Sequence, residues 1–467
     1  MSCVRHPWML LVTAVTVFLL TAAATQAQMN VTVAPASDRP GWAPWTQNSI
    51  QPPPEVKTMQ LTPTAPQPGD GLTERISRDA IAWFDTALAH VDELVPAAEA
   101  AADRIIAGGH LYCTGSPGFV QEMYGRAGGF GFLREWRGET LGSNDVLLVG
   151  HLTPTEEVGY NVDFPTLASG GGWNIPGVVV HVSSHQWVKV SRTLPLVQTE
   201  KWGGRLFLLD SRAPEGATWS DVSLGQMASV ATAWAFQGEM FAAAARKGKT
   251  LATLASDLEP NGRRWDRSVE GLNLHPAFKL PSIPPGKIAR DYLRICQQQA
   301  AEFLSAKEGV RVRTAAKRLS NALGNDRAVF IVVSGHLHVL GGIIPREFPR
   351  MVMYGRTWEW RDAVLKPGDI LLSMGYLDYP ERMVNRALDA GADVVTVSVA
   401  DGPTDARRAH VGSHWAQWDS VVNVPDYPVR ILPTSGVVQT PQWYALMAEA
   451  LKARMEDTHQ PPAKAGP

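Results

Sequence analysis

KPGDILLSMGYLDYPERMVNRALDAGADVVTVSV, residues 366–399, holds one complete supersecondary unit. A Pro367-Gly368 turn leads into Asp369-Ile370-Leu371-Leu372, and Val394–Val399 is a second short run rich in β-branched residues. Continuous apolar runs of this length read as strands buried on both faces. Between them Asp378 is placed to cap a helix and Pro380 suits its first turn. Met383, Ala387 and Leu388 share a face, and Gly391 closes the helix where a left-handed residue is favoured. Strand, crossover helix and parallel strand make a right-handed βαβ unit, and with it an open α/β sheet covered by helices.

Working outward, residues 288–304 and 312–323 carry helical spacing, Ala328–Val333 (AVFIVV) reads as a strand, and Ser334-Gly335-His336 as a small-residue turn. Downstream come a strand at Ser420–Val424 and a closing helix over Pro441–Met455. The first half of the chain runs in the same order. Ile81, Phe84, Leu88, Val91 and Val95 mark one helix, and Ala98, Ala102, Ile105 and Ile106 mark a second that stops at Gly108-Gly109. A strand at His110–Thr114 then enters Gly115-Ser116-Pro117-Gly118 and a helix over Val120–Arg126, a geometry that turns free backbone N–H groups toward an anion. Asp145–Val149, Gly177–Ser183 and Arg205–Leu209 follow as strands, and helical spacing returns from Met227 to Ala245. Asp145 and Asp369 open equivalent strands, so the pattern predicts an internal duplication of an α/β domain, with a period far longer than that of a solenoid.

The chain of 467 residues, 45% of them hydrophobic, is long enough for two ordinary cores. A formal charge of −2 without a basic run gives no drive for counterion release and argues against a nucleic-acid partner. Arg5, the apolar stretch Trp8–Leu20 and small residues ending at Ala24 or Ala27 have the layout of a secretory signal peptide. A retained anchor is the alternative, although the stretch is shorter than the roughly 20 residues a spanning helix needs. Residues 28–70 hold nine prolines and few aliphatic residues. The expected division is therefore a signal peptide over 1–27, a Pro-rich disordered spacer over 28–70 and a first domain over 71–256. A linker over 257–286, a second domain over 287–457 and a disordered tail over 458–467 complete it. After cleavage two cysteines remain, Cys113 and Cys296, expected as packing residues and not as a disulfide framework or metal site.

Taken together these residues resemble a double SIS (sugar isomerase) protein. The first copy offers Gly115-Ser116, Gln121-Glu122-Met123-Tyr124 and Arg126-Ala127-Gly128-Gly129; the second offers Ser334-Gly335-His336-Leu337-His338, similar to a Ser-Gly-His-x-His loop in uncharacterised SIS-domain proteins. Lys366–Val399 and Pro433-Thr434-Ser435 also resemble SIS elements. The resemblance implies two tandem flavodoxin-like domains, each a parallel sheet in a three-layer α/β/α arrangement, that pair within the chain. A homodimer is a further arrangement open to it. It implies a small carbohydrate derivative as ligand, no cofactor, and ligand-binding roles for Ser116, Ser183, Ser334, Ser373, Thr434 and Ser435. The loop Ser373–Asp378 departs from the family's Ser/Thr-rich phosphate loop, keeping only Ser373 at its start, and Gly150–Glu157 puts carboxylates in the equivalent place.

An aldose–ketose isomerase needs a base between neighbouring carbons and an acid that opens the ring. Glu122 is the base candidate and His336 and His338 are the acid candidates; their plainer alternatives are a helix-terminus charge and turn residues bonded to backbone. His336 and His338 lack a third ligand nearby in sequence, so no metal site is expected. His181, Ser183, Ser184 and His185 follow a strand and can reach the sheet edge where ligands of open α/β sheets bind. Trp358, Trp360, Trp415 and Trp418 suit either sugar stacking or packing. G-x-S-x-G, Walker, H-E-x-x-H and dinucleotide signatures are missing from the sequence. Two functions remain: an exported binder of a carbohydrate derivative with altered or lost catalytic residues, and an active sugar or phosphosugar isomerase. If the halves pair with pseudo-twofold symmetry, Glu122 can come within about 10 Å of His336 or His338, close enough to share one small sugar; the plainer expectation is that the two signatures line separate shallow clefts and that neither is catalytic.

Overall fold

In this computed structural model the described residues are 71–152, 176–185, 188, 205–214, 219–257, 259–303, 305–334, 351–354, 364–375, 379–415 and 418–459. The segments 1–27 and 28–70, His336, His338, Trp358, Trp360, Asp378 and the side chain of Ser334 lie outside them. The first half comprises α1 (Leu72–Ala89), a 3-10 turn at Val91–Leu94, α2 (Val95–Ile106), β1 (Leu111–Gly115), α3 (Pro117–Met123) and β2 (Leu133–Glu135). It continues with β3 (Val146–Gly150), β4 (Val178–Ser183), β5 (Leu206–Asp210) and α4 (Trp219–Arg246). A short helix, α5 (Gly262–Val269), stands within the linker. The second half contains α6 (Lys287–Phe303), α7 (Ala306–Gly324), β6 (Val329–Ser334), β7 (Met351–Tyr354), β8 (Ile370–Gly375), α8 (Glu381–Asp389) and β9 (Asp393–Ser398). It ends with β10 (Arg408–Gly412), the hairpin pair β11 (Ser420–Val422) and β12 (Ile431–Pro433), and α9 (Ser435–His459).

Two five-stranded sheets carry the fold, in the orders β2-β1-β3-β4-β5 and β7-β6-β8-β9-β10, and every pairing in both is parallel. The α/β class expected from the sequence is therefore present twice in one strand order. Its strands are almost wholly apolar because both faces are covered. Gly391 has φ 83, the left-handed conformation that its place after α8 requires.

The same local chemistry sets the register of both sheets. Asp145 Oδ1 accepts from the His110 N–H at 2.8 Å and Oδ2 from the Gly142 N–H at 2.6 Å. Asp369 accepts from the Ala328 and Lys366 N–H groups at 3.0 and 2.8 Å. Each carboxylate thus ties the mouth of one strand to the turn before the next. At the other end, the Ser211 N–H donates to Ser183 O at 2.8 Å and the Ser413 N–H to Ser398 O at 3.0 Å. The residues that follow, Arg212 and His414, both have positive φ, 53 and 60.

Helices α2 and α4 cover one face of the first sheet; α7 and α9 cover one face of the second and α8 the other. Between the sheets α1, α4, α6 and α9 pack together, so each half buries its helices against the other. Trp234, Tyr292, Trp443 and Tyr444 are wholly enclosed in this layer. Thr73 at the start of α1 donates its N–H to Glu449 of α9 at 3.2 Å. Trp415 belongs to the second core and so packs, and Cys113 and Cys296 are buried free thiols.

Candidate functional site

Strand order 2-1-3-4-5 reverses direction between β1 and β3, the place where open α/β sheets offer a crevice beyond the carboxyl ends of the strands. Ser116 stands there after β1. Its hydroxyl accepts from the Leu152 N–H at 3.1 Å, which stitches the loop after β1 to the loop after β3. Farther along the edge lie Ser183, buried and with no hydrogen-bond partner for its hydroxyl among the described residues, and His185, whose Nδ1 is 2.6 Å from Asp210 Oδ2. His151 and His181 lie edge to face at 5.8 Å. Burial pushes both imidazoles below their ordinary pKa, His181 to about 4, and His151 is pushed further by its neighbour His181. Both are neutral near pH 7. Among the described residues no three potential metal ligands gather.

Glu122 does not open onto that edge. It is 0% exposed on α3, and Arg126, in the turn that follows that helix and equally enclosed, donates to Glu122 Oε2 at 2.6 Å. The same guanidinium donates to Asp419 Oδ2 at 2.6 Å and to Ser435 Oγ at 2.7 Å. Trp234 Nε1 donates to Glu122 Oε1 at 3.4 Å. Asp419 also accepts from the Ser435 N–H at 2.8 Å and the Thr434 N–H at 3.2 Å, which caps α9. Two carboxylates thus meet one guanidinium at a helix N-terminus, whose partial positive charge offsets part of the remaining negative one. Burial pushes Glu122 up to about 7, with Asp419 adding to the rise and Arg126 opposing it.

The backbone around this cluster is held in sparsely populated conformations. Trp418, Asp419 and Leu432 have φ of 70, 69 and 65, values that persist where surrounding structure over-determines them. Gly128, at φ 78, lies so close to Leu432 that a Cβ would come within 2.6 Å of the Leu432 nitrogen. A Cβ on Gly436 would come 2.1 Å from Glu122 Oε1. First-half and second-half segments therefore meet at Glu122 without a gap.

Of the residues singled out from the sequence, Glu122, Thr434 and Ser435 come together in this buried cluster. Ser116 and Ser183 share the edge of the first sheet, and Ser373 lies within β8 in the second. Sequence reasoning missed Asp419 and the role of Arg126. The helix expected over Val120–Arg126 ends at Met123, with Tyr124 extended and Gly125 at φ 65, so Arg126 reaches Glu122 from the turn after the helix and not as a helical neighbour; nothing local pointed to that pairing or to Asp419.

No protein-family profile matches the chain, and no curated protein matches it. Solved structures do. A candidate sugar binding protein from Salmonella typhimurium LT2 aligns at 9% identity over 82% of this chain and 99% of that one, with a TM-score of 0.43. A candidate phosphosugar isomerase from Silicibacter pomeroyi DSS-3 aligns at 12% identity over 83% and 99%, with a TM-score of 0.44. A candidate tagatose-6-phosphate ketose/aldose isomerase from Clostridium novyi NT aligns at 8% identity over 84% and 91%, with a TM-score of 0.39.

Proposed function

We propose that this chain is a tandem SIS-type protein, arisen by internal duplication and exported, that binds a carbohydrate derivative at the carboxyl edges of its sheets without isomerising it. The observation that carries the reading is the enclosure of Glu122. A general base must come within hydrogen-bond reach of the proton it removes. Glu122 is instead held at 2.6 Å by Arg126, itself enclosed, and seated against the backbone at Gly436. The matched roles of Asp145 and Asp369 and of Ser211 and Ser413 support duplication. The apolar stretch after Arg5 supports export. Ser116 and Ser183 are the hydroxyls offered to a ligand in the first half, and Ser334 and Ser373 those in the second.

A second reading keeps one observation of its own. A carboxyl raised to about 7 is tuned as a general base requires, which favours an isomerase in which Glu122 works with His336 or His338. A panel of sugars and sugar phosphates, screened for a rise in melting temperature, separates the two when followed by NMR in D2O. The binder stabilises with its ligand and leaves the proton on the carbon beside the carbonyl unexchanged. Exchange that disappears in Glu122→Gln identifies the isomerase.

A further inference from the structure

The side chains just short of the carboxyl edge of the second sheet are more polar than their counterparts in the first. Strand pairing sets Val332, Ser373, Thr396 and His410 side by side. Paired residues share a face of a parallel sheet, and this face lies under α8, where Leu371 and Val394 pack with Met383 and Val384. Counted from Asp145 as these are from Asp369, the corresponding row in the first sheet is Thr114, Val149, His181 and Leu208. The architecture therefore accepts valine and leucine where the second half carries Ser373 and His410. Those two and Thr396 are only 4%, 1% and 1% exposed. Burying a hydroxyl and an imidazole where the other half places hydrocarbon costs desolvation that folding alone does not require.

His410 is only half satisfied. Its Nδ1 lies 2.9 Å from Thr396 Oγ1, which fixes the ring, while the buried Nε2 meets no hydrogen-bond partner among the described residues. Burial, aided by Arg311, pushes the imidazole down to about 4, so it is neutral near pH 7. The charged groups that act on it are Arg311, Glu308 and Asp401, with His414 beside them, and Arg311 is paired to Glu308 at 2.7 Å and to Asp401 at 3.6 Å. One cation against two carboxylates is a poor setting for a phosphate. Gly402 lies directly on the ring, since a Cβ there would come 2.8 Å from His410 Nδ1 and 2.4 Å from the Tyr379 ring. The segment 401–405 that carries Gly402 is largely exposed, and its displacement would open the ring to a ligand.

We propose that Thr396 and His410, with Ser373 beside them, form a subsite for a neutral polyhydroxyl ligand, one hydroxyl of which pairs with His410 Nε2. The subsite rests on the reading that the chain binds a carbohydrate derivative, and it specifies an unphosphorylated one in the second half. The test is calorimetric titration of the full chain at pH 7.5 with glucose, galactose, N-acetylglucosamine and the 6-phosphate of each. It is repeated with His410→Leu and Ser373→Val, which install the residues the first half uses. A neutral sugar is expected to bind, its 6-phosphate no tighter. His410→Leu should lower that affinity at least tenfold while raising the melting temperature, because a half-satisfied imidazole is replaced by a residue the same architecture already tolerates. Binding undiminished in both variants, or a 6-phosphate at least tenfold tighter than its parent, overturns the subsite alone. Failure of every probe to bind the unaltered chain overturns the binding reading and the subsite with it.

Discussion

Arg126 is the residue on which the junction of the two halves depends. It is wholly enclosed and bonded to Glu122, Asp419 and Ser435, so removing it leaves two buried carboxylates without their cation. Breaking a buried ion pair by deleting one partner costs about 3–5 kcal/mol. Arg126→Met, which keeps most of the volume, should lose about that much in urea denaturation at pH 7. Glu122 contributes to the pH dependence on the alkaline side. Its folded pKa of about 7 lies above the ordinary 4.5, so its share of stability is fully present below pH 4.5 and is lost as pH rises through 7. The histidines act in the opposite sense: His181 and His410, pushed down from 6.5 to about 4, contribute above pH 6.5 and lose that contribution as pH falls through 4. Unfolding free energy measured from pH 4 to 8 should therefore decline on the alkaline side, and Glu122→Gln should flatten that limb while leaving the acid limb unchanged. Glu122 stood out in the sequence because it follows a strand, a small-residue turn and a helix start. Asp419 did not, because its partner Arg126 is 293 positions away and no local pattern encodes such a contact.

At the scale of elements, the long apolar strands and helices were legible and the short polar ones were not. β3, β4, β8 and β9 announced themselves as continuous Val/Ile/Leu runs, as strands buried on both faces do. β10, Arg-Ala-His-Val-Gly, gave no such signal because it carries Arg408 and His410 on one face of an edge strand. α9 begins at Ser435 and not at Pro441, and the reason is tertiary: Asp419, from another segment, caps its first turn, and Pro441 is accommodated within the helix. Asp145 and Asp369 each accept two backbone N–H groups, and charge-assisted bonds of this kind contribute about 1.5–3 kcal/mol. Asp145→Ala and Asp369→Ala should destabilise by similar amounts in that range when read by chemical denaturation. A loss in one and none in the other would contradict equivalent roles.

For the whole molecule, the helical layer between the sheets is shared property. α1 packs against α6 and α9, α4 against α9, and the Arg126 cluster joins α3 to the start of α9. Neither half alone closes over its own helices. The chain should therefore unfold in one transition, with fluorescence and far-UV circular dichroism midpoints coinciding, and residues 71–256 expressed alone should show no cooperative unfolding. The repeated order of elements was legible; the way the halves interlock was not, since it depends on which helix faces meet across the chain.

The most direct test of non-isomerising binding is proton exchange on whichever sugar raises the melting temperature, followed by NMR in D2O with the unaltered chain. The enclosure of Glu122 predicts a signal from the carbon beside the carbonyl that decays no faster than in a protein-free control. Faster decay that Glu122→Gln abolishes would contradict it.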